Sequence, residues 1–377
     1  EAGERIERLR LVRIAAESLG LTASSPDWSR VAVLDTDADG ELTILDLADL
    51  SQRIIYDDGP FELVEASVID MQAAMNAGVA TSQSITQEYL DRIAAYDRTV
   101  VPGGSRPLNS IITVNQKALA DAAAADEIRA SDGMTSMLLG VPIALKDNYD
   151  TVDMVTTGGC ACWNENQTAT DASMVSGLRS DGAVILAKAS LDEFAYGFVS
   201  EFSSFQEPGA TSLVASPYDT TRTAGGSSGG TGAAISANLA GIGFGTDTGG
   251  SIRVPSSYNQ LVGVRPTVGL ASRDGIIPLA LSQDTGGPMA RSVIDAAVAL
   301  DAVVGVDDAD PVTARQEGLV PESYTSFLDT DALQGARIGY VSSMVGTNAG
   351  TVRLFSEATA ALTAQGNVAL KADGGIA

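Results

Sequence analysis

Short apolar runs alternate with helical stretches through most of this chain, and glycine crowds the turns between them. Strand-like runs fall at residues 141–145, 183–188, 241–245, 261–264 and 337–341, with helical stretches at 172–179, 230–239 and 293–303. A strand that is repeatedly followed by a helix needs both its faces covered, so the pattern predicts an α/β sheet with helices on both faces. Helices are also expected upstream, over 63–77, from Ser84 onward with Gln87 as its capping-box partner, and over 115–130. There is no internal repeat and no low-complexity tract.

The chain is 377 residues long, 45% hydrophobic and 19% charged, enough for one large domain or two, with a sizeable core. Its net charge of −25 speaks against a nucleic-acid or anionic-membrane surface, both of which need basic patches. No run approaches the ~20 apolar residues of a membrane helix. The chain begins at Glu1 and shows no recognisable signal peptide. Cys160 and Cys162 are too close in sequence to staple distant segments, and two thiols alone make no zinc site, so they are expected to be free.

Residues 1–58 read as a small helical module, separate from a domain over 61–377. An amphipathic helix over 4–19 leads to Asp35-Thr36-Asp37-Ala38-Asp39-Gly40-Glu41-Leu42-Thr43-Ile44-Leu45-Asp46. Acids at alternate positions, glycine at the sixth and an acid at the twelfth describe a calcium loop. Asp35, Asp37, Asp39 and Asp46 would supply carboxylates, Glu41 its carbonyl, and Thr43 a direct or water-mediated contact. The loop resembles an EF-hand and, in its spelling, one dockerin repeat, which implies a structural calcium and a docking partner for this module. The bland alternative is a solvated acidic turn.

Two clusters carry the chemistry: Gly225-Gly226-Ser227-Ser228-Gly229-Gly230 and Gly245-Thr246-Asp247-Thr248-Gly249-Gly250-Ser251. A phosphate loop would need a lysine directly after its glycines, and none lies between Lys188 and Lys371. Residues 225–229 match G-x-S-x-G, but that elbow works with histidine, and the chain has none. A serine nucleophile here needs another base. Lys146 sits in the apolar run Val141-Pro142-Ile143-Ala144-Leu145-Lys146-Asp147-Asn148. Burial there disfavours the ammonium, and a neutral lysine can deprotonate a serine.

These stretches, with Gln283-Asp284-Thr285-Gly286-Gly287-Pro288, resemble the amidase signature family from about Phe61 to the end of the chain. The resemblance implies that family's fold, with a mixed central sheet, and a serine–cis-serine–lysine triad. Ser251 matches the nucleophile and Ser227 the bridging serine, expected in a cis peptide with Gly226. Lys146 matches the base. Backbone N–H groups of Thr248, Gly249, Gly250 and Ser251 would hold the oxyanion, with Ser228, Asp247 and Arg253 orienting the loops and Lys188 purely structural. No cofactor is needed for such catalysis.

The implied activity is hydrolysis of an amide C–N bond through an acyl-enzyme, on a small amide or a peptide amide. Residues 272–278 resemble stand-alone bacterial amidases and peptide amidases more than the tRNA-dependent amidotransferases. An esterase of the same family, or a calcium-dependent docking protein with an inactive amidase fold, are the alternatives. Only 126 residues follow Ser251, fewer than the family usually has, so a truncated domain is expected. The calcium-loop spelling favours a secreted or cell-surface protein over a cytoplasmic one.

Overall fold

The computed structural model describes residues 19–26, 28–35, 39–48, 61–329, 332–364 and 369–372. At its centre lie strands β1 (Ile111–Val114), β2 (Pro142–Lys146) and β3 (Val184–Ala189). Two small antiparallel ladders follow, β4 (Glu201–Phe202) with β5 (Ser212–Leu213), and β6 (Ala215–Ser216) with β7 (Asp219–Thr223). The central sheet then gains β8 (Ile242–Asp247), β9 (Val262–Gly263) and β10 (Thr285–Ala290), in the order β1-β3-β2-β8-β10-β9. β2 runs parallel to both β3 and β8, while β1, β9 and β10 pair antiparallel. The sheet is therefore mixed, as expected.

Every residue of β2, β3, β8 and β10 is buried. Strands covered on both faces need no polar alternation, which is why β2 and β3 read as nearly continuous apolar runs. Burial of each Ile or Leu in them contributes about 1.5–3 kcal/mol. The helix Gly229–Ser236 packs on β2 and β8, the helix Val293–Asp301 on β10, and the helix Ala118–Asp132 on β3 and on the helix Ser82–Arg92. The strands converge so that β2 and β8 end side by side, and the catalytic candidates sit at those ends.

Two strands of this sheet, the edge strand β1 and the interior strand β10, lie outside the strand-like runs expected from the sequence. The Thr-Gly-Gly-Pro-Met-Ala of β10 reads as a turn because glycine and proline are rare in strands. Close packing explains them: a Cβ on Gly286 would lie 2.5 Å from Tyr149 Oη, and one on Gly287 2.2 Å from the Val264 carbonyl. The capping box expected from Ser84 and Gln87 is shifted by three residues. Thr81 is the cap, its side chain accepting from Ser84 N–H while Ser84 Oγ accepts from Thr81 N–H.

The amino-terminal segment joins the main core: Val31, Leu34, Leu42, Ile44, Leu47 and Ala48 share one apolar cluster with Met137, Leu138 and Val298. Most of the helix expected over 4–19, and Asp37, lie outside the described residues. Asp35 Oδ2 accepts from Gly40 N–H at 3.1 Å, Asp39 Oδ1 from Glu41 N–H at 2.8 Å, and Asp46 Oδ2 from Thr43 N–H at 2.8 Å. Among the described residues no three acids, cysteines or histidines are gathered as a metal site. At the other end β11 (Arg337–Tyr340) and β12 (Ala369–Ala372) pair in parallel around the helix Ala349–Ala364.

The expectation of free thiols is corrected: Cys160 and Cys162 are disulfide-bonded to each other. The 3₁₀ turn Ala161–Trp163 folds the chain back so that their Cα atoms stand 5.2 Å apart, a normal separation for such a bond. Among the described residues no helix is long and apolar enough to cross a membrane.

Candidate active site

Lys146 is the last residue of β2 and is wholly inaccessible to solvent. Its Nζ lies 2.7 Å from Ser227 Oγ, 2.7 Å from Thr246 Oγ1 and 3.4 Å from the Thr246 carbonyl. Three neighbours suit either protonation state: an ammonium donates to all, while a neutral amine donates to Thr246 twice and accepts from Ser227 with its lone pair. Burial pushes the Lys146 pKa down to about 7, opposed by the charges of Asp192, Asp247 and Asp284.

Ser227 follows Gly226 through a cis peptide and stands one residue before Ser228, the N-cap of the helix Gly229–Ser236. Its carbonyl accepts from Asp192 N–H at 3.3 Å and from Ser200 Oγ at 3.2 Å. Gly226 must be glycine, since a Cβ there would fall 2.2 Å from Asp192 Oδ2 and 2.7 Å from the Phe198 carbonyl carbon. The loop that closes over this peptide holds Phe194, Ala195, Ser200 and Phe205 at positive φ. Residues held in that region cost free energy and are found where surrounding packing over-determines them, often at functional sites.

Ser251 is 5% exposed and follows β8 by four residues. Its carbonyl accepts from Ser228 N–H at 3.1 Å, which ties its backbone to the residue next to Ser227. Its Oγ makes no hydrogen bond to a described residue. The structure thus joins Lys146 to Ser227 directly and brings the Ser251 segment alongside without a bonded hydroxyl.

The turn between β8 and Ser251 is organised by Asp247, which is fully buried. Its carboxylate accepts from Gly250 N–H at 2.7 Å, Ile252 N–H at 3.1 Å, Arg253 N–H at 3.3 Å and Arg253 Nε at 3.1 Å, with Arg265 Nε at 3.3 Å. Burial works against its charge, but the Arg253 side chain and these backbone donors outweigh it and hold the carboxyl below its usual range. Asp247 and Arg253, both expected to orient the loops, thus meet directly in this turn. Ser228, expected to do the same, exchanges hydrogen bonds through its buried Oγ with the Thr246 backbone at 3.2 and 3.3 Å. Of the four N–H groups expected to face an oxyanion, that of Gly250 is spent on Asp247. Those of Thr248, Gly249 and Ser251 meet no acceptor among the described residues. A Cβ on Gly249 would touch nothing within 4 Å, so the turn opens onto free space there.

Four participants were missed or under-read. Thr246 and Asn148 stand in the quoted motifs, yet only the structure shows Asn148 Nδ2 donating to Thr246 Oγ1 at 3.0 Å beside Lys146. Asp192 and Ser200 lie in a loop with no sequence pattern of its own. Lys188, expected to be structural, is buried and reaches Asp147 Oδ1 at 3.2 Å, the Tyr149 carbonyl at 2.7 Å and Thr156 Oγ1 at 3.0 Å, which pins the segment leaving Lys146.

Residues 84–373 match the Amidase family. The chain belongs to the amidase family. It is 38% identical over 289 residues to a probable amidase of Arabidopsis thaliana, covering 74% of this chain and 54% of that protein. It is 40% identical over 300 residues to a glutamyl-tRNA(Gln) amidotransferase component of Thermobifida fusca, covering 79% and 57%. Among solved structures, the native peptide amidase of Stenotrophomonas maltophilia superposes with a TM-score of 0.76 at 41% identity, covering 83% of this chain and 63% of that one. The chain therefore spans little more than half the length of these sequence relatives.

Proposed function

We propose that this chain is an amidase, hydrolysing an amide C–N bond through an acyl-enzyme on Ser251, with Ser227 and Lys146 as the proton relay. The observation that carries the reading is the buried 2.7 Å contact between Lys146 Nζ and Ser227 Oγ, with the Lys146 pKa lowered to about 7. A base poised near neutrality is what deprotonating a serine requires. Neutral Lys146 takes the proton of Ser227 Oγ, and Ser227 takes that of Ser251 as Ser251 Oγ bonds to the carbonyl carbon. The Ser251 hydroxyl, free of partners among the described residues, turns toward Ser227 for this step. The oxyanion rests on the N–H groups of Thr248, Gly249 and Ser251, with Gly250 N–H left to Asp247. The proton returns through Ser227 to the leaving nitrogen, the C–N bond breaks, and water repeats the relay on the ester.

For the substrate we favour a peptide amide or a small amide, supported by the 41% identity and TM-score of 0.76 to the peptide amidase. The amidotransferase component is a comparable sequence relative, at 40% identity. A net charge of −25 is a poor match for work beside tRNA. On the spacing of its acids alone, we also propose that the loop over residues 35–46 binds a calcium ion that steadies the amino-terminal segment. An exported location, favoured by that loop spelling, agrees with the Cys160–Cys162 disulfide, since such bonds persist in oxidising compartments.

The test is release of ammonia or amine from a panel of carboxamidated peptides, small amides and anilides, with labelling by a fluorophosphonate. Turnover and labelling by the chain, both lost in Ser251→Ala, are expected. Labelling that persists in Ser251→Ala would overturn the assignment of the nucleophile.

A further inference from the structure

The oxyanion turn is glycine-rich, and glycines do not hold themselves in place. From one side Asp247 grips it through Gly250 and Ile252 N–H. The other side has a second carboxylate that the relay does not use. Asp284, 9% exposed, accepts a hydrogen bond from Thr248 Oγ1 through Oδ1. Through Oδ2 it accepts from Leu279 N–H at 2.9 Å and Ala280 N–H at 2.8 Å. One carboxylate thus ties the first residue of the turn to an apolar loop. Ile276, Ile277, Leu279 and Leu281 of that loop line one small cavity with Thr246 and Thr248. Loop and turn thus face each other across one narrow cavity. The loop is itself anchored, with Arg273 donating to the Leu281 carbonyl and paired to Asp310 through Nη2 at 2.6 Å.

We propose that Asp284 is a positioning residue that locks Thr248, and with it the oxyanion donors, against the apolar loop 276–281. It touches no reacting atom. A donor that drifts by an ångström loses transition-state stabilisation while ground-state binding is kept, so the signature is a fall in kcat with KM nearly constant. The inference rests on the acyl-enzyme reading above.

The test uses Thr248→Val, Thr248→Ser, Asp284→Asn and the Thr248→Val/Asp284→Asn pair, each confirmed folded by its melting transition. Thr248→Val, which removes only the hydroxyl, is expected to lower kcat about 10- to 100-fold with KM within about twofold. Thr248→Ser keeps the hydroxyl and is expected to rescue most of the kcat that Thr248→Val loses. The double variant is expected to be no slower than the slower single one, because both changes break one link. A Thr248→Val enzyme at wild-type kcat, a loss confined to KM, or multiplying losses in the pair would each overturn the proposal, and Thr248→Val alone decides if Asp284→Asn does not fold. Absence of turnover and labelling in the wild-type chain would instead sink the acyl-enzyme reading, and this inference with it.

Discussion

Replacing Lys146 with methionine separates the two consequences of burying this lysine. Its pKa is 10.5 in the ordinary state and about 7 in the fold, so the folded protein binds fewer protons than the unfolded chain between those values. Stability contributed through Lys146 must therefore rise as pH increases from about 7 toward 10.5, the reverse of a lysine that gains an ion-pair partner. Each full unit of difference is worth about 1.36 kcal/mol, so integration between pH 7.5 and 9.5 gives about 2–3 kcal/mol. The assay is urea unfolding of wild type and Lys146→Met at both pH values. Taking their difference cancels every group that titrates in both. Wild type is expected to gain about 2–3 kcal/mol on Lys146→Met over that interval. Kinetics supply the second arm: kcat/KM is expected to rise along a single acidic limb with its midpoint at about 7, and to fall about tenfold per unit below it. A stability difference that is flat or falls with rising pH, or a kcat/KM that stays level through pH 5–7, would refute the neutral-base argument.

Three further outcomes are expected. Gly226→Ala would place a Cβ 2.2 Å from Asp192 Oδ2 and 2.8 Å from Val199 N, backbone and carboxylate that have nowhere to go. About 1–3 kcal/mol of stability and most fluorophosphonate labelling should be lost, as melting and gel fluorescence would show. Asp247→Asn should cost about 3 kcal/mol at pH 7, the low end for a broken buried pair because the Arg253 side chain is 56% exposed. Since the folded Asp247 pKa lies below 3.8, that advantage should persist at pH 5 and shrink as pH falls below the ordinary carboxylate range. Adding millimolar calcium after EDTA treatment should raise the melting temperature without changing kcat, and a melting curve indifferent to calcium would remove calcium from the account of the acidic loop.

What was legible in the sequence was what depends on local spelling. The buried strands β2, β3 and β8 announce themselves as apolar runs, and each glycine cluster marks a strand-to-helix turn. Lys146, Ser227 and Ser251 stand inside long motifs, so their candidacy needed no structure. What stayed hidden depends on contacts between distant segments. Strand β10 reads as a turn until Tyr149 and Val264 are seen against its glycines. Asp192 meets the Ser227 peptide across 35 residues of chain, and Asp284 meets Thr248 across 36. The disulfide escaped notice because the 3₁₀ turn that closes it is not signalled by Cys-Ala-Cys.

The same distant contacts bear on the base proposed here, a lysine in a protein this acidic. A net charge of −25 would favour the ammonium at every lysine on the surface. Asp192, Asp247 and Asp284 all raise the proton affinity of Lys146, yet none bonds to it, because each is engaged elsewhere. Asp192 accepts from Val199 and Glu201 N–H, Asp247 from the turn before Ser251, and Asp284 from Thr248 and the apolar loop. Lys188 is equally buried, and burial lowers its pKa as well, but there Asp147 opposes the effect at 3.2 Å and three further acceptors surround the nitrogen. The difference between the two lysines is therefore one of contact: Lys188 has a carboxylate against it and Lys146 has a serine hydroxyl.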